Sequence, residues 1–218
     1  PVLHPILSDY QKETDKLATI NERMVRLLAF IGFPLGILLF FCGRELMLFV
    51  FGSQWEPSIP AFQILSLTVG FQIVMSSSGS FFQSTNDTRG LFICGIFTAV
   101  ATCTGFLVCI LFFRTLEAFA YSMLISYFLC FIQCYWQLYH YQFRRNMLHL
   151  YRQLISPLII TLLIGGVLYP LSLCSSDWNI VVSLCVKSLL ALILWGGYLQ
   201  WRKEYDIVAK VRNILHKY

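Results

Sequence analysis

Residues 90–113 read GLFICGIFTAVATCTGFLVCILFF, a stretch of 24 residues without Asp, Glu, Lys or Arg. A helix of about 20 apolar residues crosses the hydrocarbon core of a bilayer. Similar charge-free windows surround this one, at residues 27–43, 57–86, 118–143 and 153–176. A further window at residues 178–201 is interrupted only by Lys187. The pattern predicts a chain that folds within a membrane, so the lipid bilayer is an expected binding partner.

The composition supports this prediction. Hydrophobic residues make up 57% of the chain and charged residues 12%, whereas a soluble domain carries about 25% charged residues. Helices are favoured because lipid cannot hydrogen-bond an open backbone, and the alternation typical of membrane β-strands is missing. We predict an all-α, polytopic membrane bundle of six transmembrane helices. They lie near residues 24–43, 59–84, 90–113, 117–139, 154–173 and 179–200.

The distribution of cations predicts the orientation of the bundle. Thirteen of the 16 lysines and arginines precede the first span, follow the second or fourth, or lie in the tail. The opposite loops hold only Arg44 and Arg114. Because cytoplasmic loops carry an excess of Lys and Arg, we expect a multi-pass protein with both ends of this segment in the cytoplasm. The net charge of +5 then reflects topology, and no nucleic-acid partner is expected.

The two ends of the chain have amphipathic patterns. Residues 1–23 combine a turn, a capping-box spacing from Ser8 to Gln11 and an apolar stripe beside cations, typical of a helix on the inner membrane surface. Residues 24–201 form the predicted six-helix bundle, and residues 202–218 a basic amphipathic tail. These ends serve either as anchors or in gating and partner binding, and the sequence leaves both interpretations open.

No constellation of residues predicts catalysis. The histidines, His4, His140, His149 and His216, fall in inner loops or at the ends, and neither a glycine-rich phosphate loop nor a His/Cys metal spacing is present. Most of the eight cysteines lie in apolar segments, where they act as small packing residues. We therefore expect no enzyme, no metal site and no cofactor.

Polar and helix-bending residues inside the spans are the candidate working parts. In the second span Gln72, Ser76 and Gln83 either line a wet cavity or hydrogen-bond neighbouring helices, which is a common use of such residues. In the first span a Gly32, Pro34 and Gly36 cluster predicts a bend, since proline removes a backbone donor. Such a bend suits a hinge in a moving transporter, although static helices also kink.

Lys187 is a charge well inside a predicted span. Intramembrane charge is costly and marks a functional site by default, but a lysine at this depth can also extend its ammonium group outward to the interface. Both interpretations stay open from sequence. We expect no Asp or Glu deep in any of the six predicted spans, which disfavours a transporter of cationic substrates.

Three motifs occur in order and on consistent sides of the membrane: HPILS at residues 4–8, FGSQWEP at residues 51–57, and a polar inner loop at residues 79–89. Together they resemble the C-terminal part of bacterial polysaccharide flippases, the Wzx-like branch of the MATE-like transporter superfamily, best over residues 1–115. His4 departs from the family pattern, which usually has an aromatic residue there. Asn86-Asp87 departs where the family more often has glycine.

The resemblance implies the later lobe of a two-lobed transporter, with a missing N-terminal lobe as its partner. The implied activity is movement of undecaprenyl-diphosphate-linked oligosaccharide across the bacterial inner membrane by alternating access, for O-antigen, capsule or exopolysaccharide synthesis. Lys187 would then contact the diphosphate, with Arg89 and Arg44 at the inner and outer mouths. Alternatives are a drug/cation antiporter of the same superfamily, a membrane-integral glycosyltransferase or polymerase, and a non-transport scaffold of the assembly machinery.

Overall fold

The computed structural model describes residues 14–85, 87–174 and 178–201. Within these ranges the chain forms helices joined by short turns, without a β-strand. The α-helices are α1 (Thr14–Phe51), α2 (Ile59–Ser66), α3 (Thr68–Met75), α4 (Ser78–Ser84), α5 (Thr88–Val108), α6 (Leu116–Gln137), α7 (Leu148–Cys174) and α8 (Ile180–Trp201). A 3₁₀-helix (Ser53–Ser58) precedes α2, and π-helical turns extend α5 to Phe113 and α6 to Phe143.

Five helices are long and apolar enough to cross a membrane: α1, α5 and α6 with their extensions, α7 and α8. Ser53–Ser66 and Thr68–Ser84 form a sixth candidate, which we call the bent span because its two parts meet at 44°. The prediction of an all-α membrane bundle is confirmed, with five spans, or six when the bent span is counted. The span at residues 90–113 is observed as Thr88–Phe113.

Helix α1 is much longer than the predicted first span at residues 24–43, since its 38 residues run without interruption from Thr14 to Phe51. Part of the predicted surface helix is therefore continuous with the span. Leu17 and Ala18 in this part are fully buried. Residues 1–13 and 202–218 lie outside the described residues, so the predicted domain boundaries at residues 23 and 202 stay predictions.

Helix α1 lies between two hydrophobic cores. Toward its N-terminal end it packs in a cluster with the bent span, α6 and the start of α7; toward its middle it packs with α7 and α8. Side chains also bond to backbone across helices: Tyr135 on α6 donates to the Val74 carbonyl at 3.0 Å, and Trp195 on α8 donates to the Phe30 carbonyl at 2.8 Å. Helix α1 therefore couples the two halves of the bundle.

Close packing explains the glycines of the predicted hinge. Gly32, Pro34 and Gly36 are buried, and Pro34 lies inside α1 without ending it. A Cβ atom added at Gly36 would lie 2.9 Å from the Ser66 carbonyl oxygen of α2. One added at Gly32 would lie 3.2 Å from the Gly70 Cα atom of α3. The glycines let α1 approach the backbone of the bent span closely, as small residues do in membrane bundles; bending during transport stays a prediction.

Candidate functional site

The bent span divides its polar residues into two sets. The first set is buried, and each hydroxyl donates to a backbone carbonyl three or four residues earlier in the chain. Its members are Ser66, Thr68, Ser77, Ser78 and Ser84, with hydrogen bonds of 2.7–3.1 Å. Because these hydroxyls are satisfied within their own span, they serve packing.

The second set is exposed along one side of the span. Gln72, Ser76 and Gln83 are exposed, and their spacings of four and seven residues place them on one helical face. Gly79 continues this face, and a Cβ atom added there would meet nothing within 4 Å. We call these four residues the polar stripe. The structure thus brings three of the predicted pathway residues onto one open face, away from the helices packed behind them.

The stripe is chemically unsuited to lipid. The Gln72 amide donates to the Thr68 hydroxyl at 2.7 Å, and the Ser76 hydroxyl donates to the Ile73 carbonyl at 2.7 Å. Each glutamine amide still has further donors and acceptors, and unmatched ones are costly in an apolar environment. A face with two exposed amides on a candidate membrane span is therefore suited to contact with water or with another polar surface.

Lys187 is buried within the bundle, with 3% of its surface exposed. Its ammonium group forms an ion pair with Glu45 of α1 and donates to the Phe41 carbonyl at 3.4 Å. Ser183 adds a hydrogen bond of 2.8 Å to the same Glu45 oxygen. Lys187 thus does not extend outward to the interface, and its charge is neutralised across the helix pair α1–α8.

The expectation that no carboxylate lies deep in a span is wrong. The charge-free window ends at residue 43, but α1 continues to Phe51 and carries Glu45 into the bundle. Glu45 is 7% exposed; the ion pair with Lys187 and the hydrogen bond from Ser183 offset the cost of its burial, because an isolated buried charge is very costly. The second carboxylate oxygen, Oε2, is buried without a hydrogen-bond partner among the described residues.

A cavity of about 340 Å³ lies beside this pair. We call it the outer cavity because the predicted orientation places this end of α1 on the outer side. Its lining residues are Phe41, Arg44, Glu45, Leu48, Gln63, Ser172, Trp178, Ile180, Ser183 and Lys187. The structure therefore brings Lys187 and Arg44 to one place. Arg44 is largely exposed and pairs with Glu56 at 3.2 Å. Arg89 is exposed near the start of α5, beyond the far end of the bent span, and does not line this cavity.

A polar network at the end of the bundle that is predicted to be cytoplasmic was not predicted from sequence. Arg145 contacts Asp15 at 2.8 Å and Glu22 at 3.5 Å, which ties the turn between α6 and α7 to the start of α1. Asp87 caps α5 by accepting from the Gly90 amide at 2.8 Å. The acidic residue that departs from the family pattern thus has a structural role, which the Asp-x-x-Gly spacing could have indicated. Among the described residues no group of three His, Cys, Asp or Glu side chains is placed to hold a metal ion.

Residues 1–60 match the model of a family described as polysaccharide biosynthesis protein. The match covers less than a third of the chain; it includes the HPILS motif, α1 and the segment that carries Trp55. No curated protein and no solved structure matches the chain significantly. The family match and the bundle of apolar helices fit a multi-pass membrane protein of polysaccharide synthesis.

Proposed function

We propose that the chain is part of a transporter that moves undecaprenyl-diphosphate-linked oligosaccharide from the inner to the outer leaflet of the bacterial inner membrane. The observation that carries this proposal is the polar stripe, an open hydrophilic face on a membrane-spanning helix. The family match over residues 1–60 supports the link to polysaccharide synthesis. In this proposal a second lobe, preceding this segment, faces the stripe and completes the pathway.

The stripe has the length that such a pathway needs. A diphosphate and a glycan cannot cross about 30 Å of hydrocarbon unaided, because desolvating charges and hydroxyl groups is costly. From Gln72 to Gln83 the stripe extends about 16 Å, at a rise of about 1.5 Å per residue. A face of this length offers hydrogen bonds across about half the membrane while the lipid tail stays in the bilayer.

Exposure and ion pairing decide which cations of the chain can contact the diphosphate. Lys187 is neutralised by Glu45 and Arg44 at the outer end pairs with Glu56, so the diphosphate first meets Arg89, which is exposed at the inner end. Gly32, Pro34 and Gly36 keep α1 packed on the bent span, so that both move together during alternating access. The Lys187 side chain then supports the pathway by holding α8 to α1.

The drug/cation antiporter is the second candidate, and a specific observation favours it. The sequence disfavours an antiporter because its predicted spans lack a deep carboxylate, but the structure places Glu45 within the bundle. However, the ion pair with Lys187 leaves this site without net negative charge, and a cationic substrate gains little from it. Oligosaccharide translocation therefore remains the leading proposal.

Replacing the stripe amides with apolar residues tests the proposal. In the producing organism, the full-length double variant Gln72→Leu/Gln83→Leu is expected to reach the membrane at the normal level but to export about 30-fold less polymer. Each of the two lost hydrogen bonds costs about 1 kcal/mol, and each 1.36 kcal/mol lowers the transport rate about tenfold. The matched control is Gln200→Leu, the same change at an exposed amide outside the stripe.

Cysteine labelling provides an independent readout. After the exposed Cys103, Cys174 and Cys185 are replaced by serine, a cysteine at residue 72, 76 or 83 should react with a polar maleimide, and a cysteine at the buried residue 77 or 84 should not. Normal export by the double variant, together with unreactive stripe positions, would show a scaffold or packing role and retire the transport pathway.

A further inference from the structure

The outer cavity differs in its lining from an apolar groove elsewhere in the bundle. A groove of about 780 Å³ between α5 and α6 has a mostly apolar lining. In the outer cavity, by contrast, six of ten lining residues are charged or carry a hydroxyl or amide group. These residues come from α1, α2, α7 and α8, so the cavity is enclosed by four helices. Its volume of about 340 Å³ lies in the range of small-molecule sites.

We propose that the outer cavity binds a neutral sugar ring. The site is derived from its own geometry; the glycan of the lipid-linked substrate as the natural source of the ring rests on the proposed function. Three features of the cavity favour such a ligand: its balanced charges, an unsatisfied acceptor beside it, and an aromatic side chain on its wall.

The charges of the cavity are already balanced. Lys187 pairs with Glu45, and Arg44 pairs with Glu56 just outside. A phosphate entering the cavity would meet the Glu45 carboxylate, and a metal cation would meet the Lys187 ammonium group, so each gains one attraction and one repulsion. A neutral ligand with several hydrogen-bonding groups avoids this conflict and can use both partners of each pair.

The unsatisfied group is an acceptor. Glu45 Oε2 is buried without a hydrogen-bond partner among the described residues, which costs roughly 1–3 kcal/mol or more for a charged group. A hydroxyl group is a neutral donor that satisfies such an oxygen after a small side-chain rotation. A sugar ring presents several hydroxyl groups, so one can reach Glu45 while others reach Gln63 or Arg44.

Trp178 supplies the aromatic wall. It precedes α8, lines the cavity and is 44% exposed. An indole ring offers a broad apolar face and an N–H donor, which complements the C–H face and the hydroxyl rim of a pyranose. A tryptophan at this level can also act as an interface anchor. Trp55 is a matched comparison, since it is 46% exposed on the same outer side, packs on Phe51 and does not line the cavity.

Binding of methyl glycosides to the purified full-length protein tests the proposal. The protein is placed in lipid nanodiscs, since detergents with sugar head groups would compete. Saturation-transfer NMR with methyl glucoside, galactoside, mannoside and N-acetylglucosaminide is expected to show binding of at least one, with a Kd of about 1 mM. Trp178→Ala should weaken it at least tenfold, and Trp55→Ala should leave it unchanged. If the Trp178→Ala variant does not fold, Ile180→Trp serves as the second test. Its larger side chain fills the cavity and should abolish glycoside binding.

Three outcomes of this binding experiment would contradict the proposed sugar site. Binding of pyrophosphate without any glycoside, no binding of any glycoside, or equal losses in the Trp178→Ala and Trp55→Ala variants would each overturn the sugar site. The stripe variant Gln72→Leu/Gln83→Leu should keep glycoside binding, because its changes lie outside the cavity. Normal export by that variant, together with unreactive stripe cysteines and intact glycoside binding, would contradict the transport proposal and leave the sugar site supported.

Discussion

Lys187→Ala is expected to lower the free energy of unfolding by about 3–5 kcal/mol, the usual cost of leaving one partner of a buried ion pair alone. The substitution strands Glu45, which is 7% exposed and keeps only Ser183 as a side-chain partner among the described residues. Thermal unfolding in detergent measures this loss of stability. The reporter is the buried Cys42 thiol, three residues before Glu45 on α1. This thiol should react with maleimide only after α1 separates from its neighbours.

Two further variants separate the pair from its individual charges. The double variant Glu45→Leu/Lys187→Met should regain most of the lost stability, because apolar replacement of a buried pair is often neutral or stabilising. Arg44→Ala, which breaks the neighbouring exposed pair with Glu56, should cost less than about 1 kcal/mol. A double variant as unstable as Lys187→Ala would show that the ion pair is not the cause.

The same double variant bears on the transport proposal. It removes the charge of Lys187 while keeping α8 packed on α1. If Lys187 acts only by holding the two helices together, polymer export should survive in the double variant and fall in Lys187→Ala. A direct contact between Lys187 and the diphosphate would instead abolish export in both variants, and would restore the role that the resemblance assigned to this lysine.

Hydropathy predicted the spans because each helix in lipid must be apolar over its length, as at residues 90–113. It failed at the end of α1, where Arg44 and Glu45 end the charge-free window although the helix continues to Phe51. A hydropathy window counts Glu45 as a charge even when an ion pair neutralises it. That partner, Lys187, lies 142 residues further along the chain, so only the packing of α8 against α1 shows that the two charges neutralise each other.

Spacing placed Gln72, Ser76 and Gln83 on one helical face, but spacing does not tell which face of a helix its neighbours cover. That choice depends on the other side of the span, where Gly70 meets Gly32 and Ser66 meets Gly36. The bend of 44° near Leu67 also escaped prediction, because the residues at the break include neither proline nor glycine. The stripe and the bend both depend on tertiary packing.

Gly36→Val is expected to destabilise the protein by about 1–3 kcal/mol, the usual cost of overpacking a close contact. Even the Cβ atom of alanine would lie 2.9 Å from the Ser66 carbonyl oxygen, and this neighbour is backbone, which cannot rotate away. The helices α1 and α2 must therefore move apart. Gly36→Ala should show a smaller loss than Gly36→Val, since valine adds two further methyl groups at the same contact.

Gly166→Val is the matched control, because Gly166 lies inside the spanning helix α7 and an added Cβ atom there meets nothing within 4 Å. Both substitutions change the helix propensity equally, so the difference between them isolates the contact between α1 and α2. Thermal unfolding in detergent should shift strongly for Gly36→Val and change by less than about 0.5 kcal/mol for Gly166→Val. Equal shifts would mean that the glycine acts through backbone flexibility, which would favour a hinge at Gly36 over close packing.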